Sequence, residues 1–328
     1  MRAAVYHDVG DFRVEDLPLP EIGPFEVLVR VKACGICGTD VHKAIQKTVQ
    51  PPIVLGHEVS GDVVKTGERV KKFHEGDRVV VPHHTPCFSC SCCHHGHPTL
   101  CEQYTRTNIY PGGFSEYIRA PQPNVERAML AIGDLSYEAA AFVEPLACCL
   151  HAWERIAILP GDTVLIVGAG PIGLLHLELA RSLHGGDVYV SDIKESRLTR
   201  VESMGGIPLN AGSEPIKADI VIVAAGNKNA YEFGLQSTKK GGQISFFAEC
   251  PPGSEINLDP NTIYGQELTC TGSYSSTPFG HWKALCLIQQ DIISVTHLIT
   301  HRFGLEGVGH AIELAAQADE CLKIMIHP

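Results

Sequence analysis

Hydrophobic residues are arranged in two textures along this chain. Through about residue 145 they form short β-branched runs punctuated by Gly, Pro and Asp: RAAVYH, EVLVRVKA, EVSGDVV and DRVVV. That pattern predicts strands joined by turns. From Ser136 the text changes, and SYEAAAFVEPLACCLHAWERIAI reads as helical from its small and apolar residues. It leads into GDTVLIVGAGPIGLLHLELARSL, which predicts a strand, a tight glycine turn and a helix. The runs DVYVSD, ADIVIVAAG, GGQISFFA and LTCTGSY follow with helical or loop text between them, the alternation of a parallel α/β sheet that ends near Tyr274. The last ~50 residues contain two helical stretches, FGHWKALCLIQQ and LEGVGHAIELAAQA, and a short strand, LKIMIH. Periodicity leaves open whether they extend the sheet or return to the first part of the chain.

Length supports that division, since 328 residues give a prior of about two domains. With 44% hydrophobic and 19% charged residues the composition is globular, with no repeat or low-complexity tract. A formal net charge of −11 repels phosphate backbones and anionic membrane, so neither nucleic acid nor membrane is expected as a partner. The N-terminal text MRAAVYHDVGDFRVEDL has no apolar signal core, and no stretch approaches the ~18 uncharged apolar residues of a membrane span. The expected compartment is the cytoplasm. In a reducing compartment thirteen cysteines point to metal binding or catalysis rather than to disulfides.

Gly168, Gly170 and Gly173, with Pro171 and Ile172 between them, follow the apolar run VLIV and open a helix. Small residues there allow a tight turn and bring a pyrophosphate close to helix N–H groups. Asp192 ends the next strand 24 positions after Gly168, near the ~20-residue offset of an acid that holds the ribose hydroxyls. With its neighbour Ile193 it forms the expected adenosine side of the site. A carboxylate there repels the extra phosphate of NADP, so NAD is favoured, with NADP kept as the lesser alternative by Lys194 and Arg197 nearby.

Cys87, Cys90, Cys93 and Cys101 fit C-x2-C-x2-C-x7-C, a spacing that suits four thiolates on one tetrahedral zinc with no open position. An iron–sulfur site is disfavoured, because seven residues separate the third and fourth cysteines and Glu102, not Pro, follows the fourth. Cys92 competes with Cys93 for the third ligand, and spacing favours Cys93. His94, His95 and His97 read as solvated loop residues. A saturated metal is structural, which places the chemistry elsewhere.

Three further stretches carry candidate ligands: ACGICGTDVH, VLGHEVSG and AFVEPLACC. Taken singly, each has an ordinary structural reading: a buried thiol, a hydrogen-bonded imidazole, or a redox dithiol at Cys34 and Cys37. In this order, followed by the four-cysteine loop and GAGPIG, they resemble the zinc-dependent medium-chain dehydrogenase/reductase family over nearly the whole chain. EPLA, where liver-type alcohol dehydrogenases carry Cys, is similar to the sorbitol (polyol) dehydrogenase branch. The resemblance implies an α/β protein with a GroES-like β-rich catalytic domain (1–145 and 276–328) and a Rossmann doubly wound parallel-sheet domain (146–275). It implies a catalytic zinc at Cys37 and His57, with Glu58 and Glu144 as a third ligand and a direct or water-mediated partner. It further implies two zinc ions per chain, a proton relay through Thr39 and His42, and a homodimer or homotetramer. The implied reaction is reversible oxidation of a secondary alcohol, a polyol in particular, to a ketone by hydride transfer to NAD. L-Threonine or a simple secondary alcohol is the alternative substrate, although threonine dehydrogenases usually carry a DP-type stretch where this chain has Glu144-Pro145. A zinc-independent quinone or enone reductase is disfavoured by the two ligand sets, and a redox-sensing binding module by the acidic balance.

Overall fold

Strand Val27–Gly35 is the hub of the first half of the molecule. Its near-continuous apolar text, VLVRVKACG, suits a strand paired on both edges and covered by side chains. One edge pairs antiparallel with Glu58–Thr66, and the other with Tyr117–Ala120 and Lys323–Ile326. Arg78–Val81 and Leu130–Ala131 continue the sheet on one side, and Ile299–Phe303 closes the other. A second, three-stranded sheet joins Asp11–Asp16, Arg2–Asp8 and Ile53–Val54. Val27, Val29, Val31, Phe114, Ile118 and Ile324 are buried in the shared core. Removal of each such side chain from water contributes roughly 1.5–3 kcal/mol.

The computed structural model describes residues 1–183, 186–317 and 321–328. The chain folds into two compact units, Met1–Ala147 with Ser276–Pro328, and Cys148–Ser275. The terminal strand Lys323–Ile326 therefore belongs with the first unit, a question that periodicity left open. Ala318, at the end of the second C-terminal helical stretch, lies outside the described residues. The helical text after Ser136 forms two helices, Tyr137–Ala141 and Val143–Trp153. Ser136 caps the first, its hydroxyl accepting from the N–H of Ala139 at 3.2 Å.

The second unit is a six-stranded parallel sheet of Val164–Val167, Val188–Asp192, Ile207–Asn210, Ala218–Val223, Thr238–Phe246 and Thr269–Gly272. Numbered along the chain, they lie in the order 3-2-1-4-5-6, the doubly wound arrangement of a Rossmann fold. The first strand, VLIV, is buried throughout, as a central strand covered on both faces must be. Chain direction switches sides beside this strand, which is where such sheets hold ligands. Among the described residues no helix is long and apolar enough to cross a membrane.

Two buried histidines should lower the protein's stability in acid. His176 sits inside the second unit with its Nδ1 accepting from the indole N–H of Trp153 at 3.1 Å. His281 lies inside the first unit, its Nε2 2.8 Å from the Ser276 hydroxyl. Burial pushes both down to about 3. Their folded values are below the ordinary ~6.5, so the unfolded chain binds protons that the folded chain refuses, and stability falls as pH drops below ~6.5. Between pH ~6 and ~4 the pair should remove roughly 2–3 kcal/mol per pH unit from the unfolding free energy. Denaturant unfolding across that range measures the slope. His176→Gln, which keeps an acceptor for Trp153, should flatten it by the share of one histidine, about 1 kcal/mol per pH unit. An unaltered slope would contradict this assignment.

Candidate metal centres and dinucleotide loop

Cys37 is the residue that caps helix Gly38–Gln46, and Asp40 is the third residue of that helix. Asp40 Oδ2 accepts from the Cys37 backbone N–H and Oδ1 from that of Gly56, both at 3.1 Å. His57, next to Gly56, turns its Nδ1 to 3.3 Å from Asp40 Oδ1, which leaves Nε2 for a ligand. One buried carboxylate thus fixes the loops that carry both Cys37 and His57. Glu58 begins the neighbouring strand and stands opposite Gly35 in the register. A Cβ at position 35 would lie 1.9 Å from Glu58 Oε2 and 2.8 Å from Lys323 Cε, so only glycine leaves room for both.

Cys37, His57 and Glu58 bring a sulfur, an imidazole nitrogen and a carboxylate oxygen within 4.8 Å of one another. Glu58 is fully buried; the Lys323 ammonium is in ion-pair contact with its Oε2, while Oε1 accepts no hydrogen bond from the described residues. Lys323 offsets part of the cost of burying this carboxylate, and Oε1 still lacks a partner. Burial works against charge on His57, yet Asp40 and Cys37 outweigh it and hold the imidazole well above its ordinary range, so the site favours positive charge. The residues fit a divalent metal with an open position.

The other expected members of this site are placed as follows. Glu144 is buried at the start of helix Val143–Trp153, and its charge acts on Lys323, but it is outside the set of three converging atoms. Thr39 is exposed with its hydroxyl 3.7 Å from Cys37 Sγ, and His42 lies one turn further along the same helix. Cys34 is fully buried, and burial raises its thiol far above the ordinary range, which suits an inert core residue.

The sulfurs of Cys87, Cys90, Cys93 and Cys101 all lie within 4.8 Å of one another. Helix Ser91–His94, capped by Cys90, sets Cys90 and Cys93 three residues apart with sulfurs at 3.6 Å, while Cys92 points off this face and is exposed. Cys101 completes the set 3.5 Å from Cys87. The Ser89 hydroxyl and backbone N–H favour the Cys87 thiolate, whereas burial and the adjoining sulfurs resist ionisation of Cys93. A closed tetrahedral cation resolves that conflict. His94, His95 and His97 are exposed and outside the set.

Gly168 has φ +108°, a conformation natural to glycine, and a Cβ at Gly173 would come within 1.8 Å of the Gly168 carbonyl oxygen. The loop therefore closes tightly onto the start of helix Pro171–Leu183, with Pro171 and Ile172 in its first turn. A pyrophosphate fits at the N-terminus of a helix approached so closely. Asp192 accepts from the N–H of Ala169 at 2.8 Å and of Lys194 at 2.9 Å, so it also braces the glycine loop. Arg197 Nη1 lies 3.5 Å from the same carboxylate, and Ile193 is 79% exposed beside it.

Sequence reading missed three contributors near the first centre. Asp40 stands three residues after Cys37, the spacing of a capping-box acid, which is the local signal it offers. Lys323 and His83 carry no local signal, because each reaches the site through tertiary pairing. His83 stacks at 4.6 Å between ring centroids on His57 and at 4.0 Å on His84, which in turn stands 5.1 Å from Tyr104.

Comparison with known proteins gives a consistent result. The alcohol dehydrogenase GroES-like domain family matches residues 23–129, and the zinc-binding dehydrogenase family matches 171–289. Sorbitol dehydrogenase of Bacillus subtilis (strain 168) is 33% identical over 350 residues, spanning 100% of this chain and 97% of that protein. An L-threonine 3-dehydrogenase of Rhizobium johnstonii is 32% identical over 312 residues, covering 89% and 88%. A Sinorhizobium meliloti 1021 structure described as a zinc-binding dehydrogenase bound to NADP superposes with TM-score 0.91 at 31% identity, covering 100% and 99%.

Proposed function

Since the chain belongs to the zinc-dependent medium-chain alcohol dehydrogenase family, in its sorbitol dehydrogenase-like branch, we propose that it reversibly oxidises a secondary alcohol, a polyol in particular, to the ketone with NAD as hydride acceptor. The observation that carries this reading is the convergence of the Cys37 sulfur, a His57 ring nitrogen and a Glu58 carboxylate oxygen within 4.8 Å of one another. Zinc held there supplies Lewis acidity that brings an alcohol's pKa toward neutrality. Cys37, His57 and Glu58 are the proposed ligands, with Glu144 a direct or water-mediated partner.

The chain's own groups do the rest of the positioning. Asp40 fixes both the Cys37 backbone and the His57 ring. The Thr39 hydroxyl accepts the alcohol proton while passing on its own, and His42, one turn along the helix and part-exposed, receives a proton and returns one to solvent. The glycine loop binds the pyrophosphate, and the Asp192 carboxylate favours ribose hydroxyls over a second phosphate. The second proposed zinc, at Cys87, Cys90, Cys93 and Cys101, holds structure only. The working form is a homodimer or homotetramer.

A spectrophotometric screen of sorbitol, xylitol, 2-butanol and L-threonine with NAD and NADP tests the reading. The expected result is kcat/KM at least tenfold higher for a polyol than for threonine, and at least tenfold higher with NAD than with NADP. Preference for threonine moves the enzyme to the other relatives' activity, and no reduced cofactor with any alcohol overturns the proposal.

A further inference from the structure

The first centre has a buried cation that the reaction described above leaves unused. Lys323 is 3% exposed, and its ammonium is in ion-pair contact with Glu58 Oε2 and donates to the Ile36 carbonyl at 3.0 Å. The centroid of the buried Phe142 ring lies 5.7 Å from the same ammonium. The two charged side chains arrive from strands on opposite edges of Val27–Gly35. Glu58 stands across from Gly35 on one edge, and Met325, two residues after Lys323, stands across from it on the other. They meet in the space over Gly35, where a Cβ would collide with both.

A buried ion pair adds little to stability by itself, because apolar residues of similar volume often serve a fold as well. Its place beside a metal ligand has a larger consequence. Asp40 stands behind His57 and makes that imidazole a better donor, as carboxylates do for histidines at zinc sites. Lys323 stands behind Glu58 with the opposite sign. It withdraws charge from the carboxylate and meets an incoming dication with like charge, at a depth where water screens neither interaction well. When the metal leaves, the lysine already holds the carboxylate that would otherwise be left unpaired, so departure costs less.

We propose that Lys323 is a positioning residue that makes the first metal exchangeable by competing with it for the Glu58 carboxylate, so that the charge at position 323 sets how fast this metal is lost. The inference rests on the reading of Cys37, His57 and Glu58 as metal ligands. Glu58 is then shared between a fixed cation and a removable one.

The test follows zinc release from the full-length zinc-loaded protein to a chromophoric chelator, pyridylazoresorcinol. The phase that belongs to the first centre is the one missing from Cys37→Ala. Lys323→Met, which keeps an unbranched apolar stem over Gly35 and beside Phe142, should slow that phase at least fivefold. A lysine that only supported the fold would give the opposite sign, because a loosened centre releases its metal faster. Lys323→Arg, which keeps the charge, should stay within twofold of the unsubstituted protein. In a Glu58→Gln background, where no carboxylate is contested, Lys323→Met should slow release less than twofold. Faster or unchanged release in Lys323→Met, or slowing of the same size beside Gln, would overturn the proposal. A release phase that Cys37→Ala removes upholds the metal reading whichever way Lys323→Met moves it, and the lack of any such phase overturns both.

Discussion

Cys37→Ala should abolish alcohol oxidation, lowering kcat at least ~10³-fold, equivalent to about 4 kcal/mol of lost transition-state stabilisation. The substitution removes the only sulfur from the set of Cys37, His57 and Glu58. It leaves Glu58 to its ion pair with Lys323 and His57 to Asp40, two interactions that do not need a metal. NADH binding, followed by its fluorescence, should persist, because the glycine loop and Asp192 belong to the other unit of the chain. Activity within tenfold of the unsubstituted enzyme would remove Cys37 from the reaction.

The second large effect is structural. Cys101→Ala deletes a buried member of the four-sulfur set, and the chain should then hold one zinc fewer. Structural zinc sites contribute about 10–16 kcal/mol of apparent binding free energy in isolated zinc-finger peptides. Loss of even ~3 kcal/mol of that from a domain of this size should lower the Tm by about 10 °C. Cys92→Ala, at an exposed thiol outside the set, should change neither the zinc content nor the Tm by more than about 1–2 °C. Differential scanning calorimetry with metal analysis of both variants reads the contrast, and equal destabilisation would return Cys92 to the ligand set.

Local periodicity carried most of the fold. The glycine spacing after VLIV announced the strand, turn and helix of the cofactor loop, because the steric demand that selects glycine there acts between residues five apart, Gly168 and Gly173. The helix text after Ser136 was legible as helical, but its division between Ala141 and Val143 was not. Spacing left Cys92 and Cys93 in competition, whereas in the fold one turn of helix brings the sulfurs of Cys90 and Cys93 to 3.6 Å and leaves Cys92 exposed. Lys323 was invisible for the opposite reason. It reaches Glu58 only because its strand pairs with Val27–Gly35, nearly three hundred residues earlier in the chain. Asp40 stood within the quoted ACGICGTDVH stretch, yet its contact with His57 depends on the fold bringing Gly56 back to the helix start. Glu144 was legible only through its motif; it is buried with its charge acting on Lys323, outside the three converging atoms.

The central claim is that a metal at Cys37, His57 and Glu58 runs the reaction while the four-cysteine metal only supports the fold. Graded chelation of the purified enzyme, with zinc per chain, turnover and far-UV circular dichroism measured on the same samples, tests it most directly. The account predicts two zinc ions per chain at the start, complete loss of turnover as the content falls from two to one, and secondary structure unchanged over that interval, with turnover restored by added zinc. Full turnover at one zinc per chain, or turnover that survives with none, would contradict it.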